Sequence, residues 1–204
     1  MHPVNLKLLN ATNVLAGHWN TATSGLDQRY SQLKGNKRFK MFTFLRDPLE
    51  MHISLYNYRW KMNPEDCSKH ACYSSLKAYL NSTRNRIATL LGCDPFNYIQ
   101  VLERYYFIGI TEKMEKSLSI FKIKTLDVLA EYHDSLNAQN QTSIIKNKSE
   151  LVMQRLNVVE RRHDRNEISV SDMEYFKERN TLDYKIYQSA LEMFHIDSNV
   201  LKKL

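Results

Sequence analysis

The residues best placed to act together lie in one short segment, Phe42-Thr-Phe-Leu-Arg46-Asp47-Pro48-Leu-Glu-Met-His-Ile-Ser54. An apolar run ends at Leu45, Arg46 follows directly, and Ser54 comes eight residues after Arg46. Pro48 suits the first turn of a helix and Asp47 its N-cap. Arg46 is therefore expected at a strand-to-helix corner, with Ser54 about two turns into the helix. A guanidinium at the corner and a hydroxyl on the helix can grip a phosphate by charge-assisted hydrogen bonds. A plainer arrangement is also open to these residues: Arg46 pairs with Asp47 or another carboxylate, and Ser54 is a tolerated helical serine. His18 follows Gly17 directly, ahead of this segment. Arg155, Arg161, Arg162 and Arg165 gather around His163, and Lys34, Lys37, Arg38 and Lys40 precede the apolar run. Each basic group can meet an anion or face solvent.

Several elements must position these residues. Phe39–Leu45 and Tyr105–Ile110 read as buried strands, and Asn13–Gly17 is a further short apolar segment ending on glycine. A helix is expected from Pro48 to about Met62. Thr111 and Glu112 open another, with Met114, Leu118 and Phe121 at spacings of four and three. Ser171 and Glu174 form a capping box for a long C-terminal helix whose Leu182, Ile186, Leu191 and Phe194 face the core. Strands separated by helices imply a parallel sheet with crossover helices, an α/β domain whose ligands bind at the carboxyl ends of the strands. The 204 residues contain only five Gly and four Pro, with no linker and no internal repeat, so a single domain over 1–204 is expected. The Asn-rich stretch from Asn137 to Glu150 is its expected surface loop.

The segment FTFLRDPLEMHISLYNY resembles the signature by which Golgi carbohydrate sulfotransferases hold the 3′-phosphate of PAPS (3′-phosphoadenosine 5′-phosphosulfate). The likeness is greatest to the heparan sulfate and uronyl 2-O-sulfotransferases and their bacterial relatives. Further likenesses stand in the family's order: Gly17-His18 before the signature, then Asn85-Arg-Ile-Ala-Thr89-Leu-Leu-Gly92, Tyr106-Phe-Ile-Gly-Ile-Thr-Glu112, and Arg179-Asn-Thr-Leu-Asp183-Tyr-Lys-Ile-Tyr187 after it. Together they run from about Gly17 to Phe194. The resemblance implies a P-loop-like sulfotransferase fold, a parallel sheet flanked by helices. It implies in-line transfer of a sulfuryl group from PAPS to a hydroxyl of a glycan, with a glycosaminoglycan-type uronic acid favoured. Arg46 and Ser54 would hold the 3′-phosphate. His18 would be the catalytic base, alone on its loop because Asn20 stands where a relative has a second histidine. Arg161 or Arg162, before the C-terminal helix, would touch the 3′-phosphate or a sulfated sugar. The family's Lys-Thr-Gly-Thr-Thr-like loop and its strand, which hold the 5′-phosphosulfate, have no counterpart here, so the N-terminal strand and loop are expected to be missing. A fragment of an active enzyme, a homologue that binds without turnover, and a divergent enzyme using another segment are the three explanations.

Charge and composition fit these expectations. Lys and Arg total 29 against 22 Asp and Glu, a net +7 that favours an anionic partner. With no base-reading motif, nucleic acid is not the expected partner. No apolar run reaches the ~20 residues that cross a bilayer, and the N-terminal MHPVNLKLLN lacks the apolar core of a signal peptide. A membrane connection is expected only through an anchor upstream, where the family carries it. Asn10, Asn81, Asn140 and Asn147 each begin an Asn-x-Ser/Thr sequon, which with the resemblance points to the Golgi lumen. There Cys67 and Cys72 are free to bridge. His70 lies between them, but no fourth ligand follows at a suitable spacing, so no metal is expected.

Overall fold

The structure, a computed structural model, describes residues 40–62, 75–137 and 163–200. Its elements, in chain order, are β1 (Met41–Leu45), α1 (Pro48–Met62), α2 (Leu76–Ser82), α3 (Arg86–Leu91), α4 (Tyr98–Glu103), β2 (Tyr105–Ile110), α5 (Met114–Asn137), α6 (Val170–Arg179) and α7 (Thr181–Val200). Among the described residues the architecture is mostly helical with a small parallel sheet, loosely α/β.

Among the described residues the sheet has two strands, β1 beside β2, in register from Phe42↔Phe107 to Leu45↔Ile110. Parallel pairing requires a crossover, which α1 to α4 supply. Side chains alternate across the strands. On one face, Phe121 of α5 stands edge-on to Phe42, ring centroids 5.0 Å apart, and also meets Phe44. Phe44 lies over Gly109, its partner in the register, so closely that a Cβ on Gly109 would collide with the ring. The alternate residues Leu45, Ile108 and Ile110 join Ile186, Ala190 and Phe194 of α7 in the larger apolar core. A second core gathers Leu49, Ile53 and Tyr56 of α1 with Leu76, Tyr79 and Leu80 of α2, Ile168, and Phe176 of α6.

Strand Tyr105–Ile110 and helix Pro48–Met62 stand where the sequence places them, while β1 begins at Met41 rather than Phe39. Ile186 and Phe194 are fully buried, and Leu182 and Leu191 partly. The C-terminal region differs: the long helix expected from Ser171 is two helices. Ser169, not Ser171, is the N-cap of α6, accepting from the Asp172 N–H at 3.2 Å. Asn180 ends α6, since its buried amide donates back to the Phe176 carbonyl at 2.8 Å. Likewise Thr111–Lys113 is a 3₁₀ turn, and α5 begins at Met114. The Asn13–Gly17 segment and the 138–150 stretch lie outside the described residues.

Candidate functional site

The corner at the carboxyl end of β1 is built by capping. Asp47 is the N-cap of α1: its carboxylate accepts from the Glu50 N–H at 3.0 Å, and its carbonyl from the Met51 N–H at 2.8 Å. Two residues beyond β2 close the corner. The Thr111 hydroxyl donates to the Leu45 carbonyl at 3.0 Å, and Glu112 accepts from the Asp47 N–H at 2.9 Å. Tyr187 of α7 donates to the other Glu112 oxygen at 2.9 Å. Burial and this carboxylate push the Tyr187 phenol well above its ordinary value, so it stays a donor. Glu112 thus ties β1, β2 and α7 together at the strand ends.

Arg46 sits in this corner with about a quarter of its side chain exposed. Its guanidinium lies 3.4 Å from Glu50 and 3.9 Å from Glu112. Ser54 is exposed on α1, one turn beyond Glu50, and its hydroxyl has no hydrogen-bond partner among the described residues. Arg46, Glu50 and Ser54 therefore follow one another along one face, with the Glu50 carboxylate between the two candidate phosphate ligands. Partly exposed ion pairs at these distances are weak, so a phosphate can displace Glu50 from Arg46 at small cost. The residues fit a phosphate on that condition.

One turn further along α1, Asn57 is buried and makes two hydrogen bonds to the backbone of His163. Its amide donates to the His163 carbonyl at 2.8 Å, and its oxygen accepts from the His163 N–H at 3.0 Å. Arg161, Arg162 and His18 lie outside the described residues, but Arg162 is bonded directly to the residue that Asn57 holds. Sequence reasoning missed Asn57. Its signal was an Asn in line with Leu49, Ile53 and Tyr56, on the face that packs inward. The His163 ring reaches Glu167 at 2.7 Å and helps line a cavity of about 380 Å³ with Tyr56, Lys77 and Asp172. Lys77 and Asp172 pair at 2.9 Å within its lining. Of the other basic residues noted in sequence, Arg165 is exposed, and Lys40 lies 4.8 Å over the Tyr106 ring.

The remaining motif residues act as ties. Asn85, at φ 43°, offers its side-chain oxygen to the N–H groups of Leu182 and Asp183 at 3.2 and 3.4 Å, capping α7. Asp183 returns the arrangement, accepting from the N–H groups of Ile87 and Ala88 at 2.9 and 2.8 Å and so capping α3. Asn180 accepts from the Asn85 N–H at 2.7 Å. Burial raises the Asp183 carboxyl above the usual carboxylate range, and the N–H groups of Ala88, Ile87 and Arg86 pull it back. Thr89 donates to the Asn85 carbonyl at 3.0 Å within its own helix. These residues hold helices in place rather than facing a ligand.

Among the described residues no three His, Cys, Asp or Glu side chains are grouped to hold a metal. Cys93 is a free thiol, pushed up to about 11 by burial and therefore protonated near neutrality. No described helix is long and apolar enough to cross a membrane. No protein-family model, no curated protein and no solved structure matches this chain.

Proposed function

We propose that this chain is a carbohydrate O-sulfotransferase domain of P-loop-like fold, which moves a sulfuryl group from PAPS to a hydroxyl of a glycan, with a glycosaminoglycan-type uronic acid favoured. PAPS would supply the activated sulfuryl group as co-substrate. Arg46 and Ser54 hold its 3′-phosphate, the guanidinium by charge and the serine by donating its hydroxyl proton. Arg161 and Arg162 add positive charge to the same phosphate. His18 takes the proton of the attacking hydroxyl, after which the sulfuryl group is on the sugar and adenosine 3′,5′-bisphosphate leaves. The Golgi lumen is the compartment that goes with this activity.

One observation supports the reading: Asn57 holds the backbone of His163, the residue that follows Arg161-Arg162 in the sequence, against α1 one turn from Ser54. Arg161 and Arg162 precede His163 by two residues and one residue in the sequence. A second reading is a homologue that binds nucleotide or sulfated glycan without turnover. What favours its glycan-binding form is the engagement of Arg46 by two carboxylates, Glu50 and Glu112, which offsets the charge it offers a nucleotide phosphate.

Calorimetry with adenosine 3′,5′-bisphosphate tests the site. Binding by the full chain is expected, weakened at least about tenfold in Arg46→Ala, the scale of one lost charge-assisted bond. Absence of binding, or binding indifferent to Arg46 and Ser54, overturns the enzyme and the nucleotide-binding homologue alike. Transfer of radiolabelled sulfate from PAPS to desulfated heparan or chondroitin separates them, since only the enzyme incorporates label.

A further inference from the structure

The geometry points to Lys113, Lys116 and His195 as a binding site for a tetrahedral oxyanion, a sulfate or phosphate group, where α5 meets α7. The site goes beyond the nucleotide reading and shares no residue with it. The Lys113 ammonium lies 3.5 Å from the ring Nε2 of His195, and both Lys113 and Lys116 stand 5.8 Å over the Phe194 ring. Phe194 is fully buried, so its ring is a fixed platform on which the two lysines converge.

Three basic side chains thus share one place. Among the described residues none of them has a carboxylate partner. Glu112, next to Lys113, is committed to the Asp47 N–H, the Tyr187 hydroxyl and Arg46, while Glu115, next to Lys116, and Glu192, one turn before His195, form no ion pair with the three groups among the described residues. The same two helices show how an isolated cation is handled here: Lys124 pairs with Asp197 at 2.7 Å. Both lysines also stand at the N-terminal end of α5, where the backbone field disfavours cations. Basic groups held together without a counter-charge repel one another, and an anion between them removes that repulsion. All three side chains are exposed, so the donors are accessible. A sulfate or phosphate offers several acceptor oxygens to the two ammonium groups and the ring nitrogen, which suits it better than a halide.

The test follows the His195 ring resonances of the full chain by NMR at constant ionic strength, with sodium sulfate as one probe and a heparin oligosaccharide as the other. Saturable shifts with sulfate, lost in Lys113→Gln/Lys116→Gln and retained in Lys113→Arg/Lys116→Arg, are expected. If the oligosaccharide moves the same resonances and loses about tenfold in affinity in the glutamine variant, the site takes the group on a polymer. If sulfate alone binds, it takes the free ion. No saturable shift with either probe overturns the proposal. So does an equal loss in Lys122→Gln/Lys185→Gln, which removes two exposed lysines elsewhere on the same helices.

Discussion

His52 shows how much one side chain can load onto a packed junction. It is fully buried, its Nδ1 is 3.0 Å from the Tyr79 hydroxyl, and its Nε2 has no partner among the described residues. Phe176 covers the ring edge-on from α6. Burial first, and then the charges of Arg86 and Arg59, lower its pKa from 6.5 to about 4. The unfolded chain takes up a proton near the ordinary value, whereas the folded chain does so only near the lowered one. Stability is therefore complete above the ordinary value and falls as pH drops toward the lowered one, by about 3 kcal/mol at full expression. Urea unfolding at pH 7.5, 5.5 and 4.5, each ~ ±0.1, should show this loss, and His52→Phe should flatten this part of the pH dependence. A wild-type curve flat across that range would mean that His52 is protonated in the fold. Gly109 is the other residue-scale constraint. Gly109→Ala must push the Phe44 ring away from its partners Phe107 and Phe121, at a cost of about 1–3 kcal/mol read as a lowered midpoint.

At the scale of elements, the caps exchanged between α3 and α7 are the main device. Each helix begins with N–H groups that lack partners within it, and each finds acceptors on the other. Asp183→Ala leaves the N–H groups of Ile87 and Ala88 buried without acceptors, an expected loss of about 2–4 kcal/mol in urea unfolding. Asp183→Asn keeps one acceptor oxygen and should lose less; equal losses would show that the charge, rather than the capping, matters. The motif carrying Asn85, Asn180 and Asp183 was legible in the sequence as a resemblance, yet its structural role was not. Their partners lie about a hundred residues away, and spacing within a motif does not identify a remote hydrogen bond. The misplaced start of α6 has a local cause. Ser169 and Ser171 each have an acidic residue three positions later, Asp172 and Glu174, and the Asp172 N–H, which bonds Ser169 at 3.2 Å, decides between them.

For the whole molecule, Asn57 joins the α1 end of the fold to the approach to α6. Asn57→Ala removes both hydrogen bonds to His163, so the 163–168 stretch should detach from α1. If Arg161 and Arg162 serve the nucleotide, adenosine 3′,5′-bisphosphate should bind several-fold more weakly although no ligand-contacting residue has changed. Unchanged affinity in a folded variant would remove those arginines from the site. The sequence by itself determined the helix from Pro48, the strand Tyr105–Ile110, the Arg46 corner and the position of Ser54. These depend on nearest neighbours: a proline that fits a first turn, an aspartate that caps it, and an apolar run bounded by charges. Only the tertiary structure decided that Glu50 and Glu112 reach Arg46, that Glu112 bridges both strand ends to Tyr187, and that Lys113, Lys116 and His195 converge on Phe194. Charge partners are chosen by distance in space. The chain brings residues 46, 112 and 187 to one corner only after β1, β2 and α7 have packed.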